Sequence, residues 1–181
     1  MARLLFVPLR RRSLLMLPWL AGARLAWAAK GKKVKHPLGF RVFVPDGWQA
    51  EAAEVGMTLS PPGGLIDPKR EDNPEVYSVW SVEADKTSEE EYIKSLRERF
   101  KQSGLKVERE GDLETFSAPG RPGVIYTFDF IHPERKTPYR IRVFAFHHKG
   151  RPLLLVATGQ RDRLVARDAV LREIARGAEW Q

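Results

Sequence analysis

Chemistry in this chain would fall to histidines, carboxylates, hydroxyls and arginines, because it contains no cysteine at all. Disulfides, thiolate zinc sites, cysteine nucleophiles and lipid attachment through an N-terminal cysteine are thereby excluded. His147 and His148 are adjacent in an apolar, strand-like run, so they point to opposite faces and do not converge on one metal. His132 and His147 stand at opposite ends of a hairpin arm, roughly 30 Å apart at about 3.4 Å per residue, and His36 lies near the N-terminus. No pair has the spacing of a helix-face zinc site, and all four read as solvated or partly buried structural residues. Glu89, Glu90 and Glu91 open a helix, where negative charge meets the positive end of the macrodipole. Asp67, Glu71, Asp72 and Glu75 share one loop but miss the calcium-loop pattern and its turn glycine. Asp129 and Arg140 are cross-strand partners that read as a structural ion pair, with a pocket lining as the sharper alternative. Neither G-x-S-x-G nor H-E-x-x-H occurs, and Gly63-Gly64 and Gly120 lack the strand-to-helix setting of a phosphate loop. No enzyme class, cofactor or metal is expected.

The charge balance narrows the partners. The whole chain carries a formal net charge of +8. Residues 1–28 hold Arg3, Arg10, Arg11, Arg12 and Arg24 and no acid, and Lys30, Lys32, Lys33 and Lys35 follow closely. With both groups set aside the remainder has a net charge of −1. A nucleic-acid binder carries its excess of Lys and Arg on the folded domain itself, so nucleic acid is not expected as a partner.

The N-terminal basicity reads as a route of export. Arg10-Arg11-Arg12 precedes an apolar stretch from Ser13 to Gly22, interrupted by Pro18. That is too short for a membrane span, which needs about 20 residues, and suits a signal peptide over 1–28 cleaved between Ala28 and Ala29. Arg11-Arg12-x-Leu14-Leu15 resembles a twin-arginine signal. A periplasmic or secreted location is therefore expected. Residues 29–37 read as a flexible basic tail whose lysines are of a kind that touch a membrane surface or an acidic partner, although a solvated spacer is the plainer reading. A single domain over 38–181 follows.

The elements that must position any site can be read from pattern. Phe40–Val44 is a short strand closed by Pro45-Asp46-Gly47 and followed by Trp48, and 57–59 is a second. Residues 61–75 hold four prolines and two glycines and form a loop. Val76 to Ala84 alternates like a strand. Ser88 with Glu91 makes a capping box, the stripe Tyr92, Leu96, Phe100 with Ile93 defines a buried helix face, and Gly104 ends the helix. Strands are expected at about 105–117, 123–132, 138–148 and 153–159, then a helix over 163–176 capped by Asp162. A turn over Pro133–Lys136 sets Asp129 opposite Arg140, Thr127 opposite Arg142 and Ile125 opposite Phe144. It also puts Val124, Tyr126, Phe128 and Phe130 on one face with Tyr139, Ile141, Val143 and Ala145. Apolar residues on both faces imply that both are at least partly covered. Trp48 and Trp80 read as core, and Trp180 either packs back on the sheet or meets a partner.

The opening Phe40-Arg41-Val42-Phe43-Val44-Pro45-Asp46-Gly47-Trp48, the capped helix after a central strand, the long antiparallel strands and the closing helix together resemble the PsbP-like superfamily. That superfamily takes in photosystem II extrinsic proteins, the Ran-binding protein Mog and bacterial envelope proteins such as DcrB. The resemblance spans residues 38–177. It implies an α+β fold, an α/β/α sandwich with a mainly antiparallel sheet of about six to seven strands and helices packed on it. It also implies action by binding or assembly rather than chemistry, on an envelope or photosynthetic-type complex. Within the chain itself, the loop residues Ile66, Asp67, Lys69, Arg70, Glu71 and Asp72 are the candidate protein contacts. Two alternatives are a small-ligand or metal carrier with a pocket between sheet and helix, and a hydrolase using Asp129, Arg140 or a histidine.

Overall fold

The computed structural model describes residues 30–62, 75–81, 88–111, 114–118 and 121–181. The signal peptide expected over 1–28 lies outside these residues. Strands come first: β1 (Gly31–Lys35), β2 (Phe40–Pro45), β3 (Gln49–Ala52), β4 (Gly56–Ser60) and β5 (Val76–Ser81). Helix α1 (Glu89–Gln102) follows, then β6 (Val107–Glu110), β7 (Glu114–Ala118), β8 (Arg121–Ile131), β9 (Pro138–His148) and β10 (Arg151–Gln160). The chain closes with α2 (Arg161–Ala166), α3 (Asp168–Gly177) and β11 (Glu179–Trp180).

One antiparallel sheet runs in the order β3-β4-β5-β10-β9-β8-β6, with β7 also paired to β8, and a small sheet runs β1-β2-β11. The β8–β9 register is the expected one: Asp129 faces Arg140, Thr127 faces Arg142 and Ile125 faces Phe144. The even-numbered β8 residues and odd-numbered β9 residues form an apolar face that Tyr92, Ile93, Leu96 and Phe100 of α1 cover. On the other face Ile125, Phe144, Phe146, Leu153 and Leu155 pack with Phe40 and Val42 of β2 and with Leu164, Leu171 and Ile174 of α2 and α3. Both faces are covered, which makes this an α+β sandwich.

Helix α1 begins and ends as the sequence requires. Ser88 Oγ accepts from the Glu91 amide at 3.1 Å, while the Ser88 amide donates to Glu91 Oε2 at 2.8 Å. At the other end Gly104 has φ of 65°, and the amides of Gly104 and Leu105 donate back to Lys101 and Phe100. This is the left-handed exit that favours glycine.

Four expectations change. The flexible basic tail over 29–37 instead carries β1, which pairs along β2 from Gly31 opposite Pro45 to Lys35 opposite Arg41. Its lysines do stay in water, and Lys33 Nζ reaches Glu179 at 2.7 Å. An edge strand needs backbone partners but no apolar face, so composition alone hid it. The strand expected over 105–117 is two strands, β6 and β7, separated around Gly111. The closing helix is likewise two pieces joined at Arg167, with Gln160 rather than Asp162 at the N-cap. The main sheet has eight strands rather than six or seven, because that division and the polar strand β3 add to it. Residues 82–84, the end of the expected central strand, lie outside the described residues.

Candidate functional site

Ile66, Asp67, Lys69, Arg70, Glu71 and Asp72 lie outside the described residues, but both ends of their loop are placed. At the first end Ser60 pairs with Gln49 and Pro61 is buried. At the second, Glu75 is a carboxylate only 2% exposed. It accepts the Tyr77 hydroxyl at 2.8 Å and ion-pairs with Arg167 at 3.2 Å and Arg163 at 3.5 Å. Leaving a buried carboxylate without partners costs several kcal/mol, so these contacts fix the chain where it enters β5. The anchor also sits tight against β10, because a Cβ added at Gly159 would lie 3.0 Å from Glu75 Cγ. Trp48 stacks edge-on to Tyr77 at 5.2 Å, with the Arg167 guanidinium 5.7 Å from its ring. Burial pushes the Tyr77 hydroxyl well above its ordinary range, and the Glu75 hydrogen bond and charge push it the same way. Sequence reasoning placed Glu75 among the loop acids. The signal available was its place two residues before Tyr77, on the same face of an alternating strand.

A second group of charges links β7, β8 and β9 to α3. Arg140 Nε and Nη2 donate to Asp129 at 2.6 and 2.8 Å. Its hydrogen bond to Asp129 raises the Arg140 pKa, outweighing burial, and the charges of Asp129, Glu114 and Asp168 add to the rise. Arg142 donates to Glu114 at 3.0 Å and to Asp168, and Arg172 of α3 joins the same two carboxylates at 2.8 Å each. Burial works against the charge on Arg172, but the hydrogen bonds and charges of Asp168 and Glu114 win and raise its pKa. Beside this network opens a cleft of about 230 Å³ lined by Arg109, Gly111, Glu114, Thr127 and Arg140. The Asp129–Arg140 pair is thus structural, with Arg140 on a cleft wall. The sequence hint for the rest was Arg142 within a strand otherwise rich in Ile, Val and Phe.

A second opening, of about 360 Å³, lies between α1 and β6. Phe100, Leu105, Val107 and Phe128 form its apolar part, and Arg97, Lys101 and Glu110 its polar part. Arg97 Nε donates to Glu110 at 2.8 Å there.

The histidines stand apart. His36 is 1% exposed, stacks on Phe40 at 4.4 Å and donates through Nε2 to the Ala53 carbonyl at 2.8 Å. It is a core residue and not part of a tail. His132 Nδ1 accepts the Arg135 amide at 3.3 Å, and His148 Nδ1 accepts the Trp180 amide at 2.8 Å. Trp180 packs back as one of its two expected fates, buried against Phe40 with the Arg151 guanidinium 3.5 Å over its ring. No group of three or more His, Asp or Glu able to hold a metal occurs among the described residues, and none of their helices is long and apolar enough to cross a membrane.

No protein-family model and no curated protein matches the chain. Among solved structures it is similar to the cyanobacterial PsbP (CyanoP) of Synechocystis sp. PCC 6803, at 12% identity and a TM-score of 0.48, over 84% of this chain and 94% of that one. It is also similar to PA94 from Pseudomonas aeruginosa, a protein of unknown function, at 10% identity and a TM-score of 0.39, over 82% and 95% of the two chains. The likeness concerns the fold alone, and function rests on this chain's own residues.

Proposed function

We propose that this is a non-catalytic binding or assembly domain that acts on an extracytoplasmic protein complex and contacts it through the loop residues Ile66, Asp67, Lys69, Arg70, Glu71 and Asp72. The supporting observation is the Glu75 anchor, where one buried carboxylate meets Tyr77, Arg163 and Arg167. A contact segment that starts from a fixed base loses less freedom on binding, and affinity gains accordingly. The segment's charges, Asp67, Lys69, Arg70, Glu71 and Asp72, suit a partner of complementary charge. Export by the N-terminal arginine-rich segment brings the domain to an envelope complex, and a photosynthetic-type complex belongs to this class.

The test is a pull-down from envelope extract with residues 66–72 replaced by Gly and Ser. Capture of the partner should be lost while the thermal unfolding midpoint stays unchanged, and capture by the parent protein should weaken as salt rises. Undiminished capture by the replaced protein removes the segment as the contact. A carrier reading retains one observation in its favour, the apolar opening between α1 and β6.

A further inference from the structure

The polar cleft beside β6 has no part in the contact just described. Thr127 lines it, is 8% exposed, and holds a buried hydroxyl without a hydrogen-bond partner. A hydroxyl left in that state is destabilising, and a bound polar group would recover the cost. The space of about 230 Å³ is far larger than the roughly 10–15 Å³ that one water needs. Charge indicates what would fill it. Arg109 and Arg140 line it with Glu114, and among the described residues Arg140, Arg142 and Arg172 pair with Asp129, Glu114 and Asp168. Each of those carboxylates is already held: Asp129 by Arg140, and Glu114 and Asp168 by Arg142 and Arg172 together. Arg109 is the surplus cation, exposed on the cleft wall and without an ion pair among the described residues. Asp112, three positions along, lies outside those residues.

We infer that this cleft binds a small oxyanion, a carboxylate or phosphate group, which the Arg109 guanidinium receives and the Thr127 hydroxyl steadies. An incoming anion meets a wall whose negative charges are neutralised, so Arg109 is left to attract it. Guanidinium is suited to this, because its planar fork matches two oxygens of a carboxylate or phosphate.

The experiment is an amide NMR titration of the purified protein with inorganic phosphate and, separately, with acetate, ionic strength being held with chloride. At least one anion should give saturable shifts at Arg109, Gly111 and Thr127. Saturation by phosphate alone, by acetate alone or by both supports the site and tells which source of the oxyanion it takes. Arg109→Gln should weaken binding by about tenfold or more, and Thr127→Val, close in shape, by several fold. Arg97→Gln, at the separate α1 opening, should leave affinity unchanged. The spectrum of each variant reports whether it is folded. Absence of saturable shifts with both anions, or unchanged affinity in folded Arg109→Gln, overturns the inference.

Discussion

Tyr77 and Tyr92 are buried in the two different core clusters, one on each side of the main sheet, and both keep their protons beyond the usual range. Burial pushes the Tyr92 hydroxyl up to about 12 from an ordinary 10, against a small opposing pull from Arg99. The raised folded value fixes the sign of the linkage: the neutral phenol stabilises the fold fully below pH about 10, and that contribution is lost as pH climbs towards 12. Urea unfolding across this window should show falling stability, with the tyrosinate absorption band appearing together with unfolding. Tyr92→Phe should flatten part of the decline. Ionisation of Tyr92 near its ordinary value in the folded protein would contradict its burial. At this scale legibility depended on distance along the chain. Asp129 and Arg140 could be paired from sequence because eleven residues and one tight turn set their register. Glu75 could not be matched to Arg163 and Arg167, nor Glu114 to Arg172, because only the packing of α2 and α3 brings those partners back to the sheet.

Helix α1 depends on its cap more than its composition suggests, since its apolar stripe is short and its exposed face strongly charged. Ser88→Ala should lower stability by about 1 kcal/mol, measured by chemical unfolding. The Ser88 amide lowers the Glu91 carboxyl below its ordinary value, with the Ser88 side chain helping. A depressed carboxyl gives stability that is present above its ordinary pKa and is lost as pH falls through the lowered one. Stability should therefore fall as pH drops through the lowered Glu91 value, and Glu91→Gln, measured by chemical unfolding over that range, should flatten part of the fall; an unchanged fall would show that the Glu91 half of the box carries little. The same contrast explains which elements were legible. Elements with an apolar period (α1, β8, β9 and β10) announce themselves. Strands β1 and β3 do not, because Lys, Gln and Glu side chains stay in water while the backbone alone pairs. The break at Arg167 was equally hidden, since Leu164, Leu171 and Ile174 all reach the core despite it.

At the scale of the molecule, covering both sheet faces commits the apolar surface of the long strands to the fold. What the domain can offer a partner is then its loops, its edges and its polar clefts. The fold class was readable from the strand and helix order, while the oxyanion cleft and the Glu75 anchor depended on contacts between distant parts of the chain. Loop residues 66–72, which precede the Glu75 anchor, are proposed to touch the partner. Site-specific photocrosslinking in the intact cell envelope tests this contact most directly, with the crosslinker placed at Lys69 or Arg70 and, as controls, at Glu98 or Lys101 on α1. One discrete crosslinked protein should form from the loop positions and none from the helix. Crosslinks to that protein from α1 but not from the loop would contradict the proposed contact.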